Sequence, residues 1–321
     1  MEYTPQENSP ELAPVKKSNS RFIFWILIVI FGVIFLASAF IVGKYLLESR
    51  DNKQMQQDLI DMRPTTGLPT LPTGSTGSTG PTHSTNPSVP SDPSDPTDPS
   101  TTPPPTTEPL PTEPQILEDL LPAYERNNHL VGWIYIPGTE NASQGFPGIN
   151  YPVLQTPNVP EWHNYYLYRN FDGEDDKHGW IYVREACDVF APCDNIVIYG
   201  HNMADGTMFG QVVNYRFRDY YEEHKYIYFD TLYERHIYEI VAVFLTSGTT
   251  GVGYSYHSKN NFDDAEDFNA FMDAIKGGDS RVKLYYHIDN TAEYGDKLIT
   301  LSTCWKEIED GRLVVVAKQI A

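Results

Sequence analysis

Apolar and polar positions alternate in four different rhythms along this chain. Residues 22–43 carry no charged side chain and are dominated by Phe, Ile, Leu and Val. A run of that length predicts a helix able to cross a hydrocarbon core of about 30 Å. A cleavable signal peptide is the rival reading, because Ala37-Ser38-Ala39 resembles a small-residue cleavage site. The apolar run continues past it to Gly43, however, beyond the roughly 7 to 15 residues of a signal h-region, so an uncleaved signal anchor is expected. Residues 44–63 follow as a mixed juxtamembrane segment. Residues 64–114 lose all periodicity and hold 15 of the 25 prolines, with a three-residue rhythm at Pro90, Pro93, Pro96 and Pro99. Such a stretch cannot bury a core and predicts polyproline-like or disordered chain, a spacer between the span and a folded domain.

The fourth rhythm, over residues 115–321, is that of a folded domain, long enough for one packed core. Thr112-Glu113-Pro114-Gln115 fits a capping box, and Ile116, Leu117, Leu120, Leu121 and Tyr124 follow at helical spacing. Pro122 is expected to split that helix in two. Short β-rich runs come next, at 132–136, 179–183, 195–199, 226–229, 237–244, 283–286, 297–303 and 312–318. Turn residues between them suggest a mainly β architecture, an antiparallel barrel or sandwich. One helix interrupts the series before the run at 297–303, with Phe268, Phe271, Met272 and Ile275 on one face.

Charge narrows the partners. The chain has a net charge of −20, and residues 115–321 hold 31 acidic side chains against 16 basic ones. Nucleic acid is thereby excluded as a partner, and the acidity is read as a solubilising surface. The cluster Asp263, Asp264, Glu266 and Asp267 lacks the alternating ligands and glycine of a calcium loop. Neither a metal nor another cofactor is expected. Lys16, Lys17 and Arg21 before the span are matched by Lys44, Arg50 and Lys53 after it, so charge alone does not orient the helix. The Ser/Thr/Pro-rich stretch followed by a folded domain does, because that order suits an exported protein. Residues 1–21 are then a cytoplasmic tail, and the folded domain lies outside a cell membrane crossed once.

Candidate chemistry sits at strand ends. Cys304 closes the run KLITLSTC, where alternation sets Thr300, Ser302 and Cys304 on one face and Ile299, Leu301 and Thr303 on the other. A thiol on a polar face suits a nucleophile, and a buried structural cysteine is the alternative. His201 follows the apolar run NIVIY after Gly200 and is either its base or a surface histidine. Arg312 opens GRLVVV and either serves that thiol or pairs with Glu307, Glu309 or Asp310. Trp305, directly after the thiol, either shapes a groove or caps the core. Cys187 and Cys193 stand before the His201 strand as either a disulfide or two reduced thiols; in an exported protein a bridge would leave Cys304 as the odd thiol.

Taken together, Tyr199-Gly200-His201-Asn202-Met203, Thr300-Leu301-Ser302-Thr303-Cys304 and the arginine opening the next strand resemble the signature of sortases. The form is similar to class B. NYPVLQ (150–155), YLYRNFDG (166–173), DGTMF (205–209) and the helix before the Cys304 strand all carry that likeness. The resemblance implies an eight-stranded β-barrel with N-terminal helices and a membrane-tethered cysteine transpeptidase of the Gram-positive surface. Cys304 would attack the threonine carbonyl of a C-terminal sorting signal, often of Asn-Pro-x-Thr type. His201 would act as acid and then base, and Arg312 would hold the substrate backbone and the oxyanion. Asn150, Leu154, Tyr199 and Ser302 match groove positions of the class. The implied partners are surface proteins carrying a sorting signal and a cell-wall peptide amine. Leu71-Pro72-Thr73-Gly74 lacks one residue of the usual sorting pentapeptide and is not read as such a signal. Two alternatives stay open: a pilus-building enzyme that uses a pilin lysine, and a non-catalytic wall-spanning binding protein. The second is expected to end in a sorting signal, an apolar span and a basic tail rather than in a strand.

Overall fold

A computed structural model describes residues 20–63, 114–141, 146–191 and 193–321. The N-terminal tail, the Pro-rich stretch, Thr112 and Glu113 therefore lie outside the described residues. Helix α1 (Ser20–Met62) contains the apolar run and is by length and composition able to cross a membrane. The chain divides into two compact units, one ending at Asn52 and the other spanning Lys53–Ala321.

The larger unit is a closed barrel. Its strands are β1 (Leu130–Ile136), β2 (Ile149–Leu154), β3 (Tyr182–Val183), β4 (Asn195–Tyr199), β5 (Tyr226–Thr231), β6 (Arg235–Ser247), β7 (Lys283–Leu284), β8 (Leu298–Trp305) and β9 (Gly311–Gln319). They follow the order β5-β1-β2-β3-β4-β8-β9-β6, and a β5–β6 pairing closes the ring of eight, while β7 pairs with β6 at Phe244 and Leu245, beyond the β5 pairing. Most pairings are antiparallel, but β2–β3 and β4–β8 are parallel. Seven of the barrel strands follow runs legible in the sequence, and β2 does not. Pro152 interrupts it as a breaker. The proline is tolerated because β2 pairs continuously only with β1, and β3 joins it at Leu154↔Tyr182.

Two apolar layers follow from strand alternation. Ile299 and Leu301 of β8 join Val315 and Ala317 of β9 in the barrel interior. A short helix α3 (Arg218–Glu223) precedes β5, and Leu298, Val314 and Val316 face outward, covered by Phe268, Phe271 and Met272 of helix α4 (Ala265–Asp273). Each such side chain removed from water is worth about 2 kcal/mol. Asp264 caps α4 by accepting the Asp267 N–H at 2.9 Å. Pro122 departs from expectation: it lies in the first turn of α2 (Leu121–Arg126) and starts that helix rather than dividing one. A proline there gives up an N–H that has no intrahelical partner anyway.

The larger unit also begins earlier than the sequence pattern suggests. Leu59 is fully buried in the barrel core, and Gln56 Nε2 donates to the carbonyls of Gly148 at 3.0 Å and Asn150 at 3.2 Å. Arg63 pairs with Asp119 at 2.9 Å and with Asp230, while Arg235 pairs with the same two carboxylates. Residues 53–63 therefore belong to the same unit as the barrel.

Candidate active site

Strand direction assembles the site. Because β4 and β8 are parallel, with Tyr199↔Ser302 in register, both strands deliver their following residues to the same end of the barrel. Gly200 N–H donates to Ser302 O at 3.2 Å and Thr303 Oγ1 donates to Gly200 O at 2.8 Å. Asn202 Nδ2 then donates to Cys304 O at 3.0 Å, tying the two strand exits together. Gly200 is required by space: a Cβ there would lie 2.5 Å from Ile181 Cδ1 and 2.6 Å from Phe209 Cγ. The antiparallel β8–β9 register sets Cys304 directly opposite Arg312.

Cys304, His201, Arg312, Tyr199 and Ser302 all line one cavity of about 520 Å³. His201 Nε2 lies 2.6 Å from Leu167 O. A carbonyl only accepts, so Nε2 carries the proton and Nδ1 keeps its lone pair. Burial, helped by the nearby charges of His178 and Arg312, pulls the ring below the usual histidine range, although the bond to Leu167 acts in the opposite sense. Neutral imidazole is thereby favoured. Arg312 pairs with Asp310 at 2.7 Å. Burial opposes its charge, yet Cys304 and Asp310 hold the guanidinium above its ordinary value. Ser302 is buried, and its hydroxyl meets Tyr256 OH at 2.6 Å.

Asn150 and Leu154 do not join this wall. Asn150 Oδ1 accepts from Trp133 Nε1 at 2.6 Å, and Leu154 is fully buried in the core. Trp305 is also core, 8% exposed and packed edge-on to Tyr285. Side chains absent from the sequence reading complete the cavity, among them Asn164, Arg184, Glu185, Tyr256 and His257. These come from loops and short turns, where no periodicity marks an inward-facing residue. Among the described residues no group of three His, Cys, Asp or Glu is placed to hold a metal ion.

A family profile described as Sortase domain matches residues 148–320. Sortase B of Staphylococcus aureus (strain NCTC 8325 / PS 47) is 31% identical over 196 residues, 60% of this chain and 71% of the relative. The chain belongs to the sortase family. Among solved structures, a Staphylococcus aureus sortase B–substrate complex superposes with a TM-score of 0.53 at 28% identity, covering 64% of this chain and 86% of the other. A sortase B complexed with triglycine gives 0.53 at 28% identity, covering 65% and 88%. This sortase is thus of the class B type, a cysteine transpeptidase on the expected closed eight-stranded barrel with helices.

Proposed function

We propose that this sortase is a membrane-anchored enzyme that cuts a sorting signal after threonine and transfers the protein to a cell-wall amine. The observation that carries the reading is the convergence of Cys304, His201 and Arg312 on one cavity at the shared end of β4, β8 and β9. Cys304 as thiolate attacks the threonine carbonyl; the C–N bond breaks, a thioester forms, and imidazolium at His201 gives its proton to the leaving amine. Neutral His201 then takes a proton from the incoming amine, whose nitrogen attacks the thioester and releases the thiolate. Arg312 cannot lose its charge and presents several N–H donors, which suits it to the substrate backbone and the oxyanion. Tyr199 and Ser302 form part of the groove wall in this reading.

Helix α1 supplies the anchor, with residues 1–21 inside the cell and the barrel outside. The complexes of sortase B with a substrate and with triglycine support a peptide donor and an amine acceptor. The test is mass spectrometry of the protein mixed with a library of sorting-type peptides and amines. A thioester on Cys304 and an amide product are expected, and both vanish in Cys304→Ala. Amide product from that variant at the wild-type rate refutes the assignment. Whether a wall peptide or a pilin lysine serves as acceptor is read from the product.

A further inference from the structure

Among the described residues that line the cavity, Glu185 is the only carboxylate. It stands two residues beyond β3, half-buried, and its Oε1 accepts the backbone N–H of Asn164 at 2.5 Å. Asn164 has a left-handed backbone, φ 55, a conformation asparagine tolerates, and its Oδ1 accepts from Tyr182 OH at 3.2 Å. Glu185 is therefore held by the backbone of Asn164, whose own side chain is anchored on Tyr182.

The cations of the same wall are engaged elsewhere. Arg184 donates to His257 O and to Asn260 Oδ1, and Arg312 pairs with Asp310. Glu185 thus offers a carboxylate that no cavity arginine neutralises. It shares this cavity with the thiol, and after burial the charges of Tyr199, Glu185 and Cys304 each push the Tyr182 hydroxyl upward.

An anion near a thiolate nucleophile hinders acylation, so its value lies in the other half of the reaction. An acceptor amine arrives as ammonium at neutral pH, since free α-amino and lysine groups titrate near about 8 and about 10.4. We propose that Glu185 is the acceptor-recognition residue of this cavity, its carboxylate receiving the ammonium group of the incoming amine. This rests on the reading in which Cys304 carries the acyl group. The bound ammonium gives one proton to solvent, the resulting neutral nitrogen attacks the thioester carbonyl while neutral His201 takes its second proton, and the C–S bond breaks to return the thiolate beside imidazolium. Glu185 ends the cycle unchanged.

The experiment compares a cationic and an uncharged acceptor. Full-length protein is acylated with an Asn-Pro-x-Thr peptide and resolved with triglycine or with hydroxylamine, which is neutral at the same pH. Glu185→Gln is expected to raise the triglycine KM by about three- to tenfold, the scale of one partly exposed ion pair, while the hydroxylamine KM changes by less than about twofold. Glu185→Asp recovers part of the loss. Equal changes for both acceptors indicate a structural role through Asn164 and overturn the proposal, as does an unchanged triglycine KM. Slower acylation with an unaltered triglycine KM assigns Glu185 to the sorting signal instead, which also overturns it. No thioester on wild-type Cys304 defeats the underlying reading, whereas a thioester on Glu185→Gln with normal triglycine use defeats this proposal alone.

Discussion

Arg312 pairs with Asp310 and stands across the strand pair from Cys304. Its charge reaches His201, where it adds to burial in disfavouring the imidazolium. A histidine with a depressed pKa stays neutral until the pH falls through that lower value. The His201 ring is therefore expected to titrate below about 6.5 in an NMR pH series. In Arg312→Gln its midpoint should rise, because one like charge has gone. A midpoint that stays put or falls contradicts this. By the same sign, acylation, which needs the imidazolium, weakens as pH rises through the depressed pKa. The three side chains were legible because each stands at the end of an apolar run. The carbonyl of Leu167 that sets the His201 tautomer was not, since a backbone group carries no sequence signal.

Among elements, the loop between β3 and β4 joins two regions. Its first residues, Arg184 and Glu185, line the cavity, and its later ones bring Cys187 and Cys193 to 2.7 Å between sulfurs, both thiols free. Gln155 donates to the carbonyls of Arg184 and Cys187, while Cys193 Sγ donates to Asn195 O and Asn260 O. Such proximity makes the pair ready for oxidation by a small-molecule disulfide. After that treatment, alkylation of the denatured protein is expected to leave Cys187 and Cys193 unlabelled and without added mass from the reagent, and to label all three cysteines after reduction. The bridge should raise stability by about 2 kcal/mol, the chain-entropy value for so short a loop. Three labelled thiols after oxidation refute the bridge. Apolar periodicity also identified α4, at helical spacing, and most of the barrel, by alternation, because half-buried elements must repeat with their own period. It missed β2, whose proline is acceptable only at that place in the sheet.

At the scale of the molecule, residues 53–63 and the barrel are one unit, joined by a buried network of Arg63, Arg235, Asp119 and Asp230. Arg63 also lies over the Trp133 ring, 5.1 Å from its centroid. Removing one partner of such a network leaves buried charge uncompensated. Arg63→Ala in a protein comprising residues 53–321 is expected to lose about 3 to 5 kcal/mol in denaturant unfolding. A fragment of residues 115–321 should be destabilised at least as much. Equal unfolding midpoints for 53–321 and 115–321 contradict the docking of this segment. By itself the sequence determined the apolar helix, the β-rich domain, α4 and the three chemical residues, since each depends on local periodicity or on a side chain at a strand end. Tertiary structure alone decided that Asn150 and Leu154 lie away from the cavity and that Glu185 lies in it. It also decided that residues 53–63 belong to the same unit as the barrel. Those outcomes depend on which strands pair and in which direction, and pairing joins residues whose sequence distance carries no trace of it.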